Sequence, residues 1–376
     1  MKKKENNENV SLLESLLSNN AFVSILVVLM GFLVGTILVA LVGKNPANMY
    51  KAVFQALTGY NIDKHRFYVR YIGETLNYMV PFVLCGYSMA FAARCGLFNI
   101  GGEGQYIVGM TVAQLLALYF PQIPFLHPIV CLLGALVAGA IWGGVVGILK
   151  AKYEVSEVVS TIMLNYIALY LSRIICLAIP GSTTYKTPNF PQTALLTNNF
   201  FVKITQSSLL NNGIFIMIIG VVVYWYIMEK TTLGFSLRAT GFNKDAAKMS
   251  GINTVRSITI AMAVSGIFAS LAGAIVALGS FKYGRVISTM DNYGFNGIAV
   301  ALVGNNTALG TLFAGYLFGL LKNAQPLMQG LKIPKEITFI IQGLIVVFIA
   351  LRSGLQIYMQ YLQKKRLQKE VLAKNE

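Results

Sequence analysis

Long apolar runs alternate with short polar segments along almost the whole chain. A helix that crosses the hydrocarbon core of a bilayer needs about 20 predominantly apolar residues. The pattern therefore predicts an all-α polytopic membrane protein with about ten transmembrane helices. The ten predicted spans are residues 21–42, 75–93, 97–118, 125–149, 157–179, 213–229, 257–281, 293–304, 307–323 and 337–352.

The eighth predicted span, 293–304, is clearly shorter than the others and is followed by the polar break Gly304-Asn305-Asn306. Such a break predicts a short or broken helix that forms the first arm of a hairpin and does not cross the bilayer fully. Irregular backbone at that depth is tolerated only where it is buried in protein or lines water. We therefore expect this segment to face protein or water rather than lipid.

The distribution of Lys and Arg predicts the orientation, because cytoplasmic loops of membrane proteins are enriched in both. The loop 229–256 and the C-terminal tail are basic, so we expect both termini and this loop in the cytoplasm. The first apolar run is too long for a signal-peptide core and is interpreted as an uncleaved span. The predicted organisation is a cytoplasmic N-terminal segment (1–20), a transmembrane domain (21–355) with outer segments 43–70 and 180–210 and a cytoplasmic loop 230–256, and a basic cytoplasmic tail (356–376).

The orientation of segment 43–70 stays open at this point, since it carries several cations although it is placed outside. Its stretch 46–60 has an amphipathic pattern, which is typical of a helix lying on a membrane surface.

Composition excludes a soluble globule: 56% of the residues are hydrophobic and 12% are charged, where soluble domains carry about 25% charged residues. The net charge of +16 comes from 30 Lys and Arg against 14 Asp and Glu. This excess lies in short loops and at the termini, as membrane insertion requires, and argues against nucleic-acid binding. The four cysteines form no C-x-x-C pair and are interpreted as packing residues.

A glycine-rich polar stretch, Phe98–Gln105, opens the third predicted span. A glutamate inside a membrane costs several kcal/mol unless it faces protein or water, about 3 by insertion scales. Asn99, Glu103 and Gln105 are therefore candidates for lining a transport pathway. The alternative is structural: Asn99 caps a helix N-terminus and Glu103 complements the helix dipole. The two interpretations are compatible.

A second polar stretch, at the start of the fifth predicted span, places Glu157, Thr161 and Asn165 four residues apart. Residues at this spacing share one face of a helix. A polar stripe on an apolar helix faces the bundle interior, where it either hydrogen-bonds a polar cargo or holds helices together. We favour pathway lining, because an amide and a carboxylate on one stripe suit a polar ligand.

The loop between the sixth and seventh spans has the pattern of a small surface helix. Asn243 is placed to cap a helix that contains Ala246 and Ala247, and Gly251 is placed to end it. A short helix rich in small residues between two spans is typical of a docking site for another protein. A merely solvated loop explains the charges but not this spacing.

The loop also carries the motif R-A-x-G-x-N-x-x-A-A-x-x-x-G-I, matched position by position from Arg238 to Ile252. Together with Phe98–Gln105 it resembles the permease family of bacterial ATP-binding-cassette importers for sugars, branched-chain amino acids and nucleosides. The stretch S-E-V-V-S-T-I-M-L-N-Y-I, from Ser156 to Ile167, and the long outer segments resemble the larger permease of the nucleoside branch. The resemblance covers roughly residues 70–350.

The resemblance implies a transport subunit in a bacterial plasma membrane that works with three partners. These are a second, smaller permease, a separate cytoplasmic ATPase that uses ATP and magnesium, and an extracellular lipid-anchored binding protein. It also implies that the ATPase grips the loop 230–256, which then acts as a coupling loop. The implied ATPase-coupling residues are Arg238, Ala239, Gly241, Asn243, Ala246, Ala247, Gly251 and Ile252.

The sequence itself contains no G-x-x-x-x-G-K-[ST] segment, so ATP hydrolysis by that mechanism does not reside in this chain. The only two histidines, His65 and His127, fall in or directly beside predicted outer loops. We therefore predict no catalytic residues, no metal site and no cofactor bound by this chain. Two alternatives stay open: an ion-coupled secondary carrier, for which buried Glu103 and Glu157 and a broken helix would be suitable, and a permease for a sugar.

Overall fold

The computed structural model describes residues 20–206, 208–349 and 351. The predicted N-terminal segment, except for its last residue, and the predicted basic tail lie outside the described residues. Within them the chain is mostly helical, and every predicted span contains a helix. The chain divides into two compact units, Met1–Pro46 with Pro334–Glu376, and Ala47–Ile333.

The first unit contains two described helices, α1 (Asn20–Leu41) and α14 (Glu336–Ile349). They approach each other at Gly31, where an added Cβ would lie 2.7 Å from Cγ1 of Ile345. The absence of a side chain at Gly31 therefore lets these two helices pack closely.

The other elements follow the apolar pattern of the sequence closely, with short strands in the outer segments. In chain order they are α2 (Pro46–Thr58), β1 (Tyr60–Asn61), β2 (Arg66–Phe67), α3 (Val69–Arg94), α4 (Gly102–Tyr119), α5 (Leu126–Tyr153), α6 (Glu157–Leu177), β3 (Lys186–Asn189), α7 (Asn199–Ile204), α8 (Gly213–Lys230), α9 (Thr232–Phe242), α10 (Lys244–Met249), α11 (Thr254–Ile275), β4 (Tyr283–Arg285), α12 (Tyr293–Val303) and α13 (Ala308–Gly330).

Six helices of the described residues are long and apolar enough to cross a membrane: α1, α3, α5, α6, α8 and α11 with its extension to Ser280. The predicted number of about ten is thus not reached by this criterion. Helix α4 has the length but is less apolar, because twelve of its eighteen residues are buried in protein and need no lipid-compatible side chain. Helix α12 has 11 residues, about 16 Å at 1.5 Å per residue, which is half the hydrocarbon thickness.

Helices α3 and α11 form the centre of the second unit, with 83% and 72% of their apolar windows buried. Helix α11 packs against α3, α4 and α5, and α3 also packs against α12 and α13. Small residues permit these contacts: a Cβ added at Gly266 of α11 would lie 2.0 Å from the carbonyl oxygen of Gly139 in α5. The central helices therefore approach each other at backbone contact distance.

Two small antiparallel sheets were not anticipated from the apolar pattern. Strands β1 and β2 form a hairpin in the predicted outer segment 43–70. Strand β3, in the segment 180–210, pairs with β4, which follows α11. The second sheet joins segments about a hundred residues apart, as in the hydrogen bond from the Gly284 amide to Oγ1 of Thr187 (3.0 Å).

Candidate functional site

Asn99 lies in the turn before α4 and is the centre of a buried polar cluster. Its Oδ1 accepts a hydrogen bond from the Gly101 amide (2.8 Å), which forms an Asx turn. The predicted capping by Asn99 is wrong, because the N-cap of α4 is Gly101 and no side chain caps it. Its Nδ2 donates to Oγ of Ser265 in α11 (2.6 Å) and to Oε1 of Gln105 (3.0 Å). Ser88 of α3 completes the cluster, with its Oγ 3.0 Å from that of Ser265. The cluster therefore joins α3, α4 and α11.

Glu103 caps a different helix from the one that carries it. Its side chain is 0% exposed, and its carboxylate oxygens accept hydrogen bonds from the amides of Asn292 (2.8 Å) and Gly294 (2.6 Å). These amides belong to the first turn of α12, so the negative charge lies at the positive end of that helix. Glu103 also lies in the first turn of α4, as predicted, so its charge is placed at the N-termini of both helices.

The polar stripe of α6 faces the start of α4, as the spacing predicts. Oδ1 of Asn165 accepts from the Gly104 amide (2.7 Å), and its Nδ2 donates to the Ile100 carbonyl (3.0 Å). Thr161 is buried, and its hydroxyl donates a hydrogen bond to the Glu157 carbonyl (2.7 Å). The Glu157 carboxylate pairs with Nζ of Lys150 at 2.8 Å.

Five of the six predicted pathway residues lie in or against the start of α4, since Thr161 packs on Gly101 and Asn165 bonds to Ile100 and Gly104. The carboxylate of the sixth, Glu157, pairs with Lys150. In this conformation their polar groups bond to protein, and five of the six are almost completely buried. The arrangement is what the helix-joining interpretation requires. Pathway lining stays a prediction. The six residues are Asn99, Glu103, Gln105, Glu157, Thr161 and Asn165.

The predicted coupling loop contains two helices, α9 and α10, where the sequence indicated one. Asn243 caps α10 by accepting hydrogen bonds from the amides of Asp245 and Ala246, both at 3.0 Å. Gly251 has a φ of +82°; its amide bonds to the Lys248 carbonyl and the next amide bonds to the Ala247 carbonyl. This is the Schellman pattern of helix ends. The predicted start and end of this helix are therefore both confirmed.

Part of the motif attaches α9 to the bundle. Arg238 contacts the Met228 carbonyl and pairs with Glu229 of α8 (2.8 Å), and Glu229 also pairs with Arg94 of α3 (2.5 Å). Gly241 touches the turn after α3, because a Cβ there would lie 2.5 Å from the Arg94 carbonyl oxygen. The motif residues at positions 239, 247 and 252 are partly or fully buried, whereas those at 243, 246 and 251 are exposed.

Two residues of this loop that sequence reasoning missed project into solvent. Phe242 is 96% exposed and Met249 is 91% exposed. They lie at the C-terminal ends of α9 and α10 and are surrounded by charged positions. An apolar residue in a charged loop is the signal that could have identified them, and full exposure of two such side chains is typical of a contact surface.

A cavity of about 180 Å³ lies at the end of the second unit where α3 begins and α11 ends. No residue that lines it was predicted. Its walls come from α3, the π-helical turn Val276–Ser280 after α11, the segment before α12, and α13.

The rings of both histidines lie within hydrogen-bonding distance of neighbouring protein groups. His127 is buried, with Nδ1 2.9 Å from Oγ1 of Thr193 and Nε2 3.2 Å from the Leu116 carbonyl oxygen. Nδ1 of His65 lies 3.2 Å from the hydroxyl of Tyr60 in the β1–β2 hairpin. The four cysteines are buried and free.

The comparison with protein families and the comparison with individual proteins both match this chain to transport permeases. Residues 71–350 match the family described as branched-chain amino acid transport system / permease component. The guanosine ABC transporter permease protein NupP of Bacillus subtilis is 37% identical, over 92% of this chain and 98% of NupP. The nucleoside ABC transporter permease protein NupB of Lactococcus lactis is 36% identical, over 90% of this chain and 93% of NupB. The guanosine ABC transporter permease protein NupQ of Bacillus subtilis is 28% identical, over 66% of this chain and 79% of NupQ.

Proposed function

This chain belongs to the branched-chain amino acid transport system / permease component family, and we propose that it is the larger permease of an ATP-driven nucleoside importer. It is a multi-pass membrane protein. The cargo class rests on the two relatives that match over almost their whole length, both of which are named permeases for guanosine or nucleosides.

The observation that carries the proposal is the projecting helix pair α9–α10. Two of its residues, Phe242 and Met249, are apolar and more than 90% exposed, although the segment around them is charged. Exposed apolar residues gain free energy when a partner covers them, because apolar surface leaves water. An ATPase subunit that covers this pair would supply the motor that the chain lacks.

The anchoring of α9 supplies a route from such a partner to the transport pathway. Force on α9 reaches α3 through the Gly241 contact and the Arg94–Glu229–Arg238 ion pairs. Ser88 of α3 in turn belongs to the polar cluster that joins α3, α4 and α11. ATP binding by the partner would therefore shift three central helices together, as alternating access between outward- and inward-open states requires.

Docking of the ATPase on α9–α10 determines the orientation of the chain and the places of the other subunits. The ATPase, with its ATP and magnesium, is cytoplasmic, so the coupling loop and both termini lie on the cytoplasmic side of a bacterial plasma membrane. A second, smaller permease completes the translocation unit. A lipid-anchored binding protein delivers the nucleoside on the opposite side of the membrane.

Reconstitution tests the proposal directly. The chain is assembled in vesicles with the partner permease, the ATPase and the binding protein, and uptake of labelled guanosine is measured with ATP present and the proton and sodium gradients collapsed. We expect uptake to persist. Loss of uptake on collapsing the gradients would instead support an ion-coupled carrier, and uptake of ribose but not guanosine would identify a sugar permease.

A further inference from the structure

We propose that the cavity at the α3–α11 end is a cargo subsite of the permease itself, shaped for a nucleoside. The inference rests on the proposed function, because it assigns a place to the proposed cargo. At about 180 Å³, the cavity has room for about six water molecules at about 30 Å³ each, and so for a ring of the cargo rather than only a single ion.

Aromatic rings form one part of the wall. Tyr78, Phe281 and Tyr293 all line the cavity. Tyr293 is held in place by edge contact with Phe82 at 5.0 Å and by Tyr106 at 5.6 Å between ring centroids. Faces of this kind stack on nucleobases irrespective of base identity.

Polar groups form the rest of the wall. Asp291 receives two hydrogen bonds from Arg285, one of them at 2.8 Å, and one from the Tyr106 hydroxyl at 3.0 Å. Asn77 and Ser280 bond to each other at 3.3 Å on another side. These carboxylate, amide and hydroxyl groups are suited to the hydroxyls of a ribose and the polar edge of a base.

The wall does not favour a metal cation. Its one carboxylate, Asp291, is paired with Arg285. A sodium ion is bound by carboxylate and carbonyl oxygens, and this carboxylate is already occupied.

The helices are irregular where they border the cavity. Pro81 lies inside α3, so position 81 has no N–H to donate to the carbonyl of Asn77, one turn earlier. Val276–Ser280 forms a π-helical turn, and Pro326 interrupts α13 one turn after Lys322. Broken helical backbone at membrane depth occurs where it is buried in protein or lines a water-filled cavity, and π-turns concentrate at functional sites. Irregular backbone in α3 and after α11 thus borders this cavity, whereas Pro326 itself lines a different one.

The cavity and the predicted polar site are physically connected through α12. The Glu103 carboxylate holds the amides on either side of Tyr293, at Asn292 and Gly294. Glu103 is therefore a positioning residue that fixes an aromatic wall of the cavity, and a shift of α4 during transport would move that wall.

Cysteine protection in the reconstituted complete transporter tests the inference. Ser280→Cys introduces one thiol at the cavity wall, and the native cysteines are buried. We expect guanosine at about ten times its dissociation constant to slow modification by a small methanethiosulfonate reagent about tenfold, as mass action requires. Thr184→Cys, at an exposed position before β3, is the matched control and should react at an unchanged rate.

Three results would overturn the inference: no protection of Ser280→Cys in a preparation that takes up guanosine, equal protection of Thr184→Cys, or equal protection by ribose alone. The first leaves the proposed function intact, because uptake is measured on the same vesicles. Absence of ATP-driven uptake of guanosine in the wild type would instead contradict the proposed function, whereas selective protection by guanosine would still support the subsite. A melting temperature of Ser280→Cys equal to that of the wild type shows that the variant is folded.

Discussion

Phe242 is an exposed aromatic side chain at the tip of the coupling loop, and its proposed role is contact with the ATPase. Truncation of a central aromatic at an interface costs about 2 kcal/mol, which is about thirtyfold in affinity. We expect Phe242→Ala to weaken binding of the ATPase subunit by that order and to lower uptake. Phe200→Ala is the control, since Phe200 is also exposed but lies in the outer segment 180–210. Equal loss in both variants would contradict the docking role.

Gly241 and Gly251 are both required by the motif, but for different physical reasons. A Cβ at Gly241 would lie 2.5 Å from the Arg94 carbonyl oxygen, whereas nothing lies within 4 Å of one at Gly251, whose φ is +82°. We expect Gly241→Ala to displace α9 and cost about 1–3 kcal/mol, and Gly251→Ala to cost about 1 kcal/mol of backbone strain. Thermal unfolding of the purified transporter measures both. An unchanged melting temperature in Gly241→Ala would show that Gly241 is not a packing contact.

The Asn165 side chain bonds to two main-chain groups at the start of α4, the Gly104 amide and the Ile100 carbonyl. Asn165→Leu leaves the Gly104 amide and the Ile100 carbonyl buried without it, at a cost of about 1–3 kcal/mol for each unsatisfied group. We therefore expect melting temperature and uptake to fall together in this variant. Val159→Leu, on the exposed face of the same helix, should leave both unchanged. A fall in uptake at normal stability would instead show that the stripe contacts cargo.

At the residue scale, the sequence indicated which residues have a structural role more readily than which groups they bond to. Glu103 was singled out because a carboxylate in an apolar run is costly, yet its hydrogen-bond partner lies 189 residues away. Asn243 and Gly251 were assigned correctly because both act on main-chain groups within five residues, and such local chemistry is visible in the sequence.

At the element scale, the half-length helix α12 is held at both of its ends. Glu103 bonds to its first turn. The turn that follows it accepts hydrogen bonds from two tyrosine hydroxyls, Tyr224 to the Asn306 carbonyl and Tyr87 to the Ala308 carbonyl, both at 2.7 Å. A helix of this length has little stability of its own, so these contacts fix its position.

We expect Glu103→Gln to loosen the first turn of α12. The amide removes the charge that favours the helix N-terminus and offers one acceptor where the carboxylate offers two, at a cost of about 2 kcal/mol. Hydrogen exchange should accelerate in residues 293–297. Tyr224→Phe is the matched control at the other end and should accelerate exchange only around residues 304–308. Unchanged exchange at the first turn in Glu103→Gln would show that the cap is dispensable.

Helix positions followed from the apolar runs because lipid imposes hydrophobicity on every exposed face. The same reasoning loses strength where a helix is enclosed by protein, as α4 shows with its buried Glu103, Gln105 and Gln114. Strands β3 and β4 have no apolar alternation, and their pairing joins segments far apart in the chain. Nothing local in the sequence indicates such a contact.

At the scale of the whole molecule, the cavity illustrates what sequence reasoning does not reach. Its wall combines Asn77 of α3 with Ser280 and Tyr293, about 200 positions later. Each of these residues is ordinary in its own segment, and only packing of the helices brings them together. Pro81 lies inside the second predicted span and Pro326 lies just after the ninth, and nothing in either segment indicates that α3 and α13 border one cavity.

The Arg94–Glu229–Arg238 network connects the ends of α3 and α8 to α9. Its loss should therefore weaken the coupling of ATP hydrolysis to transport. Glu229 accepts hydrogen bonds from both arginines, at 2.5 and 2.8 Å, and is partly exposed. Glu154 lies 3.9 Å from Lys244 of the coupling loop, and its side chain is 84% exposed. Solvent-exposed pairs contribute at most about 1 kcal/mol, and distant ones nothing measurable. We therefore expect Glu229→Gln to lower ATP-driven uptake about fivefold, the equivalent of about 1 kcal/mol, while ATP hydrolysis by the complex continues.

The matched variant Glu154→Gln removes a carboxylate beside the same loop without touching α3 or α8, and we expect it to transport at the wild-type rate. Uptake and hydrolysis measured on the same vesicles separate coupling from assembly, since a misassembled complex loses both. If Glu229→Gln loses hydrolysis in proportion to uptake, the network serves assembly, and force from α9 must reach α3 through the Gly241 contact alone.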